Sequence, residues 1–216
     1  MHRPARTAPS GNTPSRPTPR GRAPSGTGVV RIIGGRFKRS KLAVADAAGL
    51  RPTPDRVRET LFNWLGQDLT GWRCLDMFAG SGALGLEAAS RGAASVDMIE
   101  RDARLARSLQ AGCDRLGADM VHVHAADALR LCARLPAAAY DLVFIDPPYA
   151  DADTGVHTQA LDQAIRLLRP GGLAYLEAPD APRLLAWCGA PGWVVLRQDR
   201  AGAVHYALLR RAAESG

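Results

Sequence analysis

The segment Asp76-Met77-Phe78-Ala79-Gly80-Ser81-Gly82-Ala83-Leu84-Gly85 sets an acid ahead of glycines at G-x-G-x-x-G spacing (Gly80, Gly82, Gly85). In that arrangement missing side chains let a ligand approach backbone N–H groups at a helix start. The loop alone is a weak sign of nucleotide binding, but two further acids sharpen it. Glu100, 18 residues after Gly82, is placed to take both hydroxyls of a ribose, and Asp127 to accept from an adenine amino group. Each acid by itself is equally a solvated residue at a strand end. Together they fall at the carboxyl ends of successive apolar runs, which is where ligands bind in open α/β sheets. A pyrophosphate would be repelled by Asp76, whereas a cationic amino-acid group would be held by it. S-adenosylmethionine carries an ammonium, a sulfonium and an adenosine, and so accounts for all three acids.

A second constellation follows a later apolar run: Val143-Phe144-Ile145-Asp146-Pro147-Pro148-Tyr149. The exocyclic amine of a nucleobase is a poor nucleophile because its lone pair is delocalised into the ring. Acceptors that hold its hydrogens let the nitrogen pyramidalise toward an electrophile. The Asp146 carboxylate and the Pro147 carbonyl are suited to that, two prolines stiffen them, and Tyr149 offers a face on which an extruded base stacks. The plain alternative is a proline turn closing a buried strand.

Positioning these groups requires a parallel sheet. Strands are expected at Arg73 to Phe78, Ser95 to Glu100, Met120 to His124, Tyr140 to Asp146 and Gly172 to Glu177, with helices at Ala83 to Arg91, Asp102 to Leu116, Ala126 to Arg134 and His157 to Leu168 between them. Trp193 to Gln198 and Ala203 to Leu209 are joined only by a short turn with Gly202, which forces antiparallel pairing. The expected fold is therefore α/β, with five parallel strands and a terminal antiparallel hairpin. Ahead of it, Val29 to Ile33 and Leu42 to Val44 suggest a small hairpin, and Thr53-Pro54-Asp55 an N-cap, a proline at the first helical position and an early acid. The division expected is a Pro/Arg-rich disordered tail over 1–28, a hairpin-and-helix extension over 29–66, and the sheet domain over 67–216.

The chain has 216 residues, 46% of them hydrophobic, which excludes a wholly disordered protein and leaves room for one sizeable core. No run approaches the ~20 apolar residues of a membrane span. The tail lacks a signal-peptide core, and Cys74, Cys113, Cys132 and Cys188 lie far apart with no C-x-x-C pair, so a reducing, cytoplasmic setting is expected. His122 and His124 share one side of a strand but have no third ligand, so no metal site is expected. The net charge of +7 is distributed unevenly. The first 45 residues hold ten basic side chains and no acid, and the remaining 171 hold 18 basic and 21 acidic ones, a net of −3. Such an N-terminal segment draws phosphate backbones, or simply keeps the chain soluble. Arg31, Arg36, Lys38, Arg39 and Lys41 are the phosphate candidates as a group. Arg51, Arg56 and Arg58 near a helix start either grip RNA phosphates, cover the pocket, or pair with neighbouring acids.

The loop from Asp76, Glu100, Asp127, Asp146-Pro147-Pro148-Tyr149 and the terminal hairpin resemble the Rossmann-like class I S-adenosylmethionine-dependent amino-methyltransferases. More narrowly, Arg31-Ile32-Ile33-Gly34-Gly35, the block Leu50 to Leu65 and Asp76 to Glu87 resemble the bacterial RsmD family, over about Val29 to Arg210. That resemblance implies S-adenosyl-L-methionine as cofactor and the 2-amino group of a guanine in 16S ribosomal RNA as acceptor, reached within an assembling small subunit by a monomeric enzyme. It implies Asp76, Phe78, Ala79, Gly80, Ser81, Gly82, Glu100, Arg101, Asp127, Ala128 and Asp146 as cofactor contacts, and Asp146 to Tyr149 as the catalytic run. The Asp-Pro-Pro-Tyr motif is shared with DNA adenine and protein glutamine methyltransferases. A DNA enzyme would usually carry a target-recognition insertion, for which no stretch here is long enough. A nicotinamide-dependent oxidoreductase leaves Asp76 and Asp-Pro-Pro-Tyr unexplained, and a non-enzymatic RNA-binding protein leaves the acids unexplained.

Overall fold

Short apolar runs alternating with helical spacings become a wrapped sheet in the computed structural model, which describes residues 28–44 and 53–213. Elements follow in chain order: β1 (Gly28–Arg31), β2 (Lys41–Val44), α1 (Asp55–Trp64), β3 (Arg73–Asp76), α2 (Ala83–Ser90), β4 (Ser95–Glu100), α3 (Ala103–Leu116), β5 (Val121–Ala125) and α4 (Ala128–Cys132). Then come β6 (Tyr140–Ile145), a 3-10 turn (Tyr149–Asp151), α5 (Val156–Leu167), β7 (Leu168–Ala178), α6 (Ala181–Cys188), β8 (Trp193–Ala201) and β9 (Val204–Arg211). The expected tail lies outside the described residues except for Gly28, which opens β1, and Arg51 also lies outside them.

The seven-stranded sheet runs β5-β4-β3-β6-β7-β9-β8, and its first five strands are parallel. β9 is antiparallel to both β7 and β8, so the last strand slots inside the hairpin's earlier one. The chain leaves β3 toward β4 on one side and later returns as β6 on the other. This reversal opens a crevice at the carboxyl ends of β3 and β6, the strands that carry Asp76 and Asp146. Apolar faces fill both sides of the sheet. Leu61, Phe62, Phe144, Tyr175 and Tyr206 share one cluster, and Leu75, Val143, Leu161, Leu176 and Leu209 the other.

The N-terminal unit is bolted to the first of these faces through α2. Gly34 and Gly35 press against its end: a methyl at Gly35 would fall 1.8 Å from the Ser90 carbonyl oxygen, on a backbone already at φ +72°. Glu87, fully buried in α2, accepts from the Ile33 and Gly34 N–H groups, each at 2.8 Å, from Arg91 Nε at 2.9 Å and from Arg58 at 3.4 Å. Arg58 also pairs with Asp55 at 2.6 Å and donates to the Arg31 carbonyl at 2.9 Å. One carboxylate therefore ties the β1–β2 connection, α1 and α2 into a single unit.

Several local expectations are corrected. Pro54, not Thr53, occupies the N-cap of α1 and has no side-chain acceptor for a cap bond, while the Thr53 hydroxyl is turned to Asp146. β7 starts at Leu168, ahead of the Gly171-Gly172 pair, and α4 is confined to Ala128–Cys132. Helix α6 is an addition to the expected elements, although Asp180, whose side chain accepts from the Arg183 N–H at 2.8 Å, and a proline in the first turn are ordinary helix-start signals.

Candidate cofactor and base-binding cleft

A cavity of roughly 640 Å³ sits over the carboxyl ends of β3, β4, β6 and β7, within the range of small-molecule sites. Its floor is the β3–α2 loop, where Gly80 at φ 50° lets the chain double back and the Ala79 N–H donates to the Ile99 carbonyl at 2.9 Å. Thr53 and Pro54 approach from the N-terminal unit, and Tyr149 to Asp151 from the 3-10 turn.

Of the acids that line this space, four stand at or beside the carboxyl ends of four parallel strands: Asp76, Glu100, Asp146 and Glu177. Glu100 is pinned at both oxygens, by the Gly80 N–H at 2.9 Å and the Asp102 N–H at 2.7 Å, which leaves each oxygen a further lone pair. Asp76 is buried and accepts from the Gly85 N–H at 3.0 Å. Burial pushes its carboxyl up to about 7 against the pull of the Gly85 and Phe78 amides, with the Glu100 charge adding to the rise. Asp146 accepts from the Thr53 hydroxyl at 3.4 Å. Burial, then the Glu177 and Asp76 charges, hold it well above the carboxylate range. Burial likewise lifts Glu177 to about 7, opposed by hydrogen bonds from Tyr175 and Thr53. Among the described residues, Asp76, Asp146 and Glu177 make no ion pair with any basic side chain. Two buried carboxyls, Asp76 and Glu177, and the half-buried Asp146 beside them are costly without a countercharge and favourable around a cationic ligand.

Of the expected cofactor contacts, Asp76, Phe78, Ala79, Gly80, Ser81, Glu100, Arg101, Asp127, Ala128 and Asp146 all line this cavity, as do Pro147, Pro148 and Tyr149. Asp127 caps α4 by accepting from the Arg130 N–H at 2.9 Å. Arg101 reaches Asp151 at 3.5 Å across the cavity rim. Gly82 is a correction. It does not line the cavity, and a methyl there would collide with Leu109, Leu86 and Met98, so its bare backbone at φ +77° serves the packing of α2 against α3 and β4.

The expected RNA contacts divide. Arg36, Lys38, Arg39, Lys41 and Arg56 are exposed, and Arg31 is exposed but paired with Asp55 at 2.9 Å. Arg58 is a correction: it is 2% exposed and committed to Asp55 and Glu87, so neither RNA nor the cavity can use it. Glu177 is the residue that sequence reasoning missed, although it closes the fifth parallel strand as Asp146 closes the fourth. His124 bonds to Asp97 at 2.8 Å, and Asp97 also accepts from the Tyr140 hydroxyl at 2.9 Å, away from the cleft.

Three comparisons bear on this geometry. A family model described as conserved hypothetical protein 95 matches residues 30–210. Ribosomal RNA small subunit methyltransferase D of Escherichia coli (strain K12) is 39% identical over 202 residues, covering 88% of this chain and 94% of that relative. The solved structure of the Escherichia coli protein yhhF superposes with a TM-score of 0.74 at 36% identity, over 87% of this chain and 100% of that one. Precorrin-6y C5,15-methyltransferase of Geobacter metallireducens shares the fold at 19% identity, with a TM-score of 0.64 over 79% of this chain and 94% of that one.

Proposed function

The chain belongs to the conserved hypothetical protein 95 family, and from that premise we propose that this methyltransferase moves a methyl group from S-adenosyl-L-methionine to the exocyclic 2-amino group of a guanine in 16S ribosomal RNA. The observation that carries the reading is the set of uncompensated buried carboxyls around one cleft, with Asp146-Pro147-Pro148-Tyr149 at its edge.

The cleft suits the cofactor's charges. Asp76 faces the cavity with no countercharge, fitting the ammonium, and the pinned Glu100 keeps lone pairs for two ribose hydroxyls. Asp127 and Ala128 stand where an adenine edge would be read, and Phe78, Ala79 and Ser81 wall the space between. When bound, the cofactor supplies a methyl group on a positively charged sulfur.

The protein's own part is orientation. The Asp146 carboxylate and the Pro147 carbonyl accept the two hydrogens of the target amine, which directs its lone pair away from the ring plane. Pro148 fixes the turn, and Tyr149 offers the stacking face for a base taken out of its helix. Burial and the Glu177 and Asp76 charges shift Asp146 toward its protonated form. A cation bound beside it favours the ionised form, which is the better acceptor. After methyl transfer the nitrogen is cationic and acidic, and its proton passes to the Asp146 carboxylate that already accepts from it. RNA phosphates are gripped by the exposed cations of the N-terminal unit, Arg36, Lys38, Arg39 and Lys41, with Arg56 on α1.

Among the described residues no helix is long and apolar enough to cross a membrane. The test is direct. Calorimetry should show S-adenosylhomocysteine binding and no NAD binding, and mass spectrometry of 16S RNA from a strain lacking the protein should show loss of one N2-methylguanine. NAD binding without S-adenosylhomocysteine binding, or unchanged RNA, overturns the proposal.

A further inference from the structure

Glu177 is the acid at the cleft to which the cofactor chemistry assigns nothing. It is the penultimate residue of β7, whose Leu176 is in register with Ile145, the last residue of β6, so Glu177 and Asp146 are the next residues along on neighbouring chain segments and lie on the same side of the sheet. It is 3% exposed, lines the cavity, and accepts from the Tyr175 hydroxyl at 2.8 Å through Oε1. The Thr53 hydroxyl bonds Asp146 and also favours ionised Glu177, yet one hydroxyl proton serves only one acceptor at a time. Acceptor capacity in this corner therefore exceeds the donors the protein supplies. A purely structural residue at this position would be better neutral, since burying an acid without a cation opposes folding.

The neighbouring group in the reaction is the amine that Asp146 holds. On guanine the 2-amino group adjoins ring N1–H, so the Watson–Crick edge presents donors side by side. On adenine the amine adjoins a bare N1, which is an acceptor. An acceptor set one position along from Asp146 matches the first pattern and opposes the second. We infer that Glu177 reads the target base, its carboxylate accepting from guanine N1–H while Asp146 and the Pro147 carbonyl hold the 2-amino group. This assignment rests on the proposed guanine methylation. It supplies the discrimination that Asp146-Pro147-Pro148-Tyr149 cannot supply alone. Tyr175 and Thr53 become positioning residues that hold the carboxylate at the base edge.

2-Aminopurine probes the contact, because it keeps the 2-amino group and replaces N1–H by a lone pair; it also lacks the O6 carbonyl, so the change of the base preference in a Glu177 variant is what assigns it to Glu177. Small subunits are reconstituted with 16S RNA carrying either guanine or 2-aminopurine at the methylated position, once mass spectrometry has mapped it. Wild-type enzyme should favour guanine by about 10- to 100-fold in kcat/KM, as for one well-made base contact. In Glu177→Gln, which cannot present two anionic acceptor oxygens, the ratio should fall below about threefold, with S-adenosylhomocysteine affinity unchanged. Equal wild-type rates on the two bases, a preserved ratio in the variant, or loss of S-adenosylhomocysteine binding in a folded variant each overturn the assignment. Should Glu177→Gln fail to fold, Glu177→Ala read on the same two substrates keeps the assignment testable. Absence of any methylation at guanine would instead remove the underlying function.

Discussion

Two groups of buried acids lie on the same side of the sheet and are treated in opposite ways. Glu87 is enclosed by Arg58, Arg91 and two backbone N–H groups, so its charge is matched within the fold. Asp76 and Glu177 are nearly as deeply placed around the cleft, with Asp146 half-buried between them, but all three meet only hydroxyls and amides among the described residues. Arginine is available to the fold in quantity, and it is used where the carboxylate joins elements and withheld where a ligand brings the positive charge. The contrast separates a structural acid from a functional one better than burial does, because burial is common to both.

The largest expected effect tests the functional side. Asp146→Ala should lower methyl transfer by at least about a hundredfold, the scale of losing a group that acts in the transition state, while the folded variant still binds S-adenosylhomocysteine. Radiolabel transfer to small subunits and calorimetry check the two halves, and wild-type turnover would remove Asp146 from the reaction. Arg58→Ala tests the structural side. It strands Glu87 with one cation fewer and should cost about 3 to 5 kcal/mol, lowering Tm by ~2 to 4 °C per kcal/mol. Urea unfolding measures this, and a loss under about 1 kcal/mol would mean that the N-terminal unit is not tied through Glu87.

Intermediate effects belong to the cofactor acids. Glu100→Ala should weaken S-adenosylhomocysteine binding by about 1.5 to 3 kcal/mol, or ~10- to 150-fold in Kd. Asp76→Asn probes the missing countercharge through pH. Unfolded, Asp76 releases its proton near 3.8, whereas in the ligand-free fold it holds it to about 7. Between those values folding takes up a proton, so stability is full below the lower value and falls as pH rises, by about 1.4 kcal/mol per pH unit for one group. Asp76→Asn should flatten that decline in urea melts of the ligand-free protein and leave it more stable at pH 8. An unchanged slope would mean that Asp76 is already compensated.

Much of this contrast is legible in the sequence, and the unread part has a physical reason. Strand-end acids, the glycine turn and the terminal hairpin announce themselves through local spacing, and the sheet follows from them. Arg58 is misread from sequence because its charge suggests a surface. Yet Arg58, Leu61, Phe62 and Leu65 form an i, i+3, i+4, i+7 stripe, and the last three are buried, so helical periodicity already places the arginine inside. Its partner Glu87 lies 29 residues away on another helix, and no local pattern links them. Glu177 ends an expected strand just as Asp146 does. It lacks a flanking motif, and only the sheet order shows that the two strands are neighbours. Gly82 fits the fingerprint for packing rather than for ligand approach, a distinction that spacing does not carry.

The smallest effect concerns charge outside the core, where neither matching nor withholding applies. Arg36, Lys38 and Lys41 are exposed on one unit, and Arg39 beside them sits at φ 71°, a strained position best left unchanged. Replacing the three by glutamine should leave kcat at saturating RNA and cofactor affinity unaltered, since none of them lines the cleft. RNA affinity should fall modestly at low salt. The slope of log K against log salt should become shallower by about 0.7 to 0.9 for each phosphate no longer neutralised. Filter binding of 16S RNA across a salt series reads this slope. If it does not change, the basic turn is a solvated face and the RNA approaches from elsewhere. If it changes while Asp146→Ala leaves it untouched, the cations that gather the RNA and the carboxyls that act on the base are separate and additive.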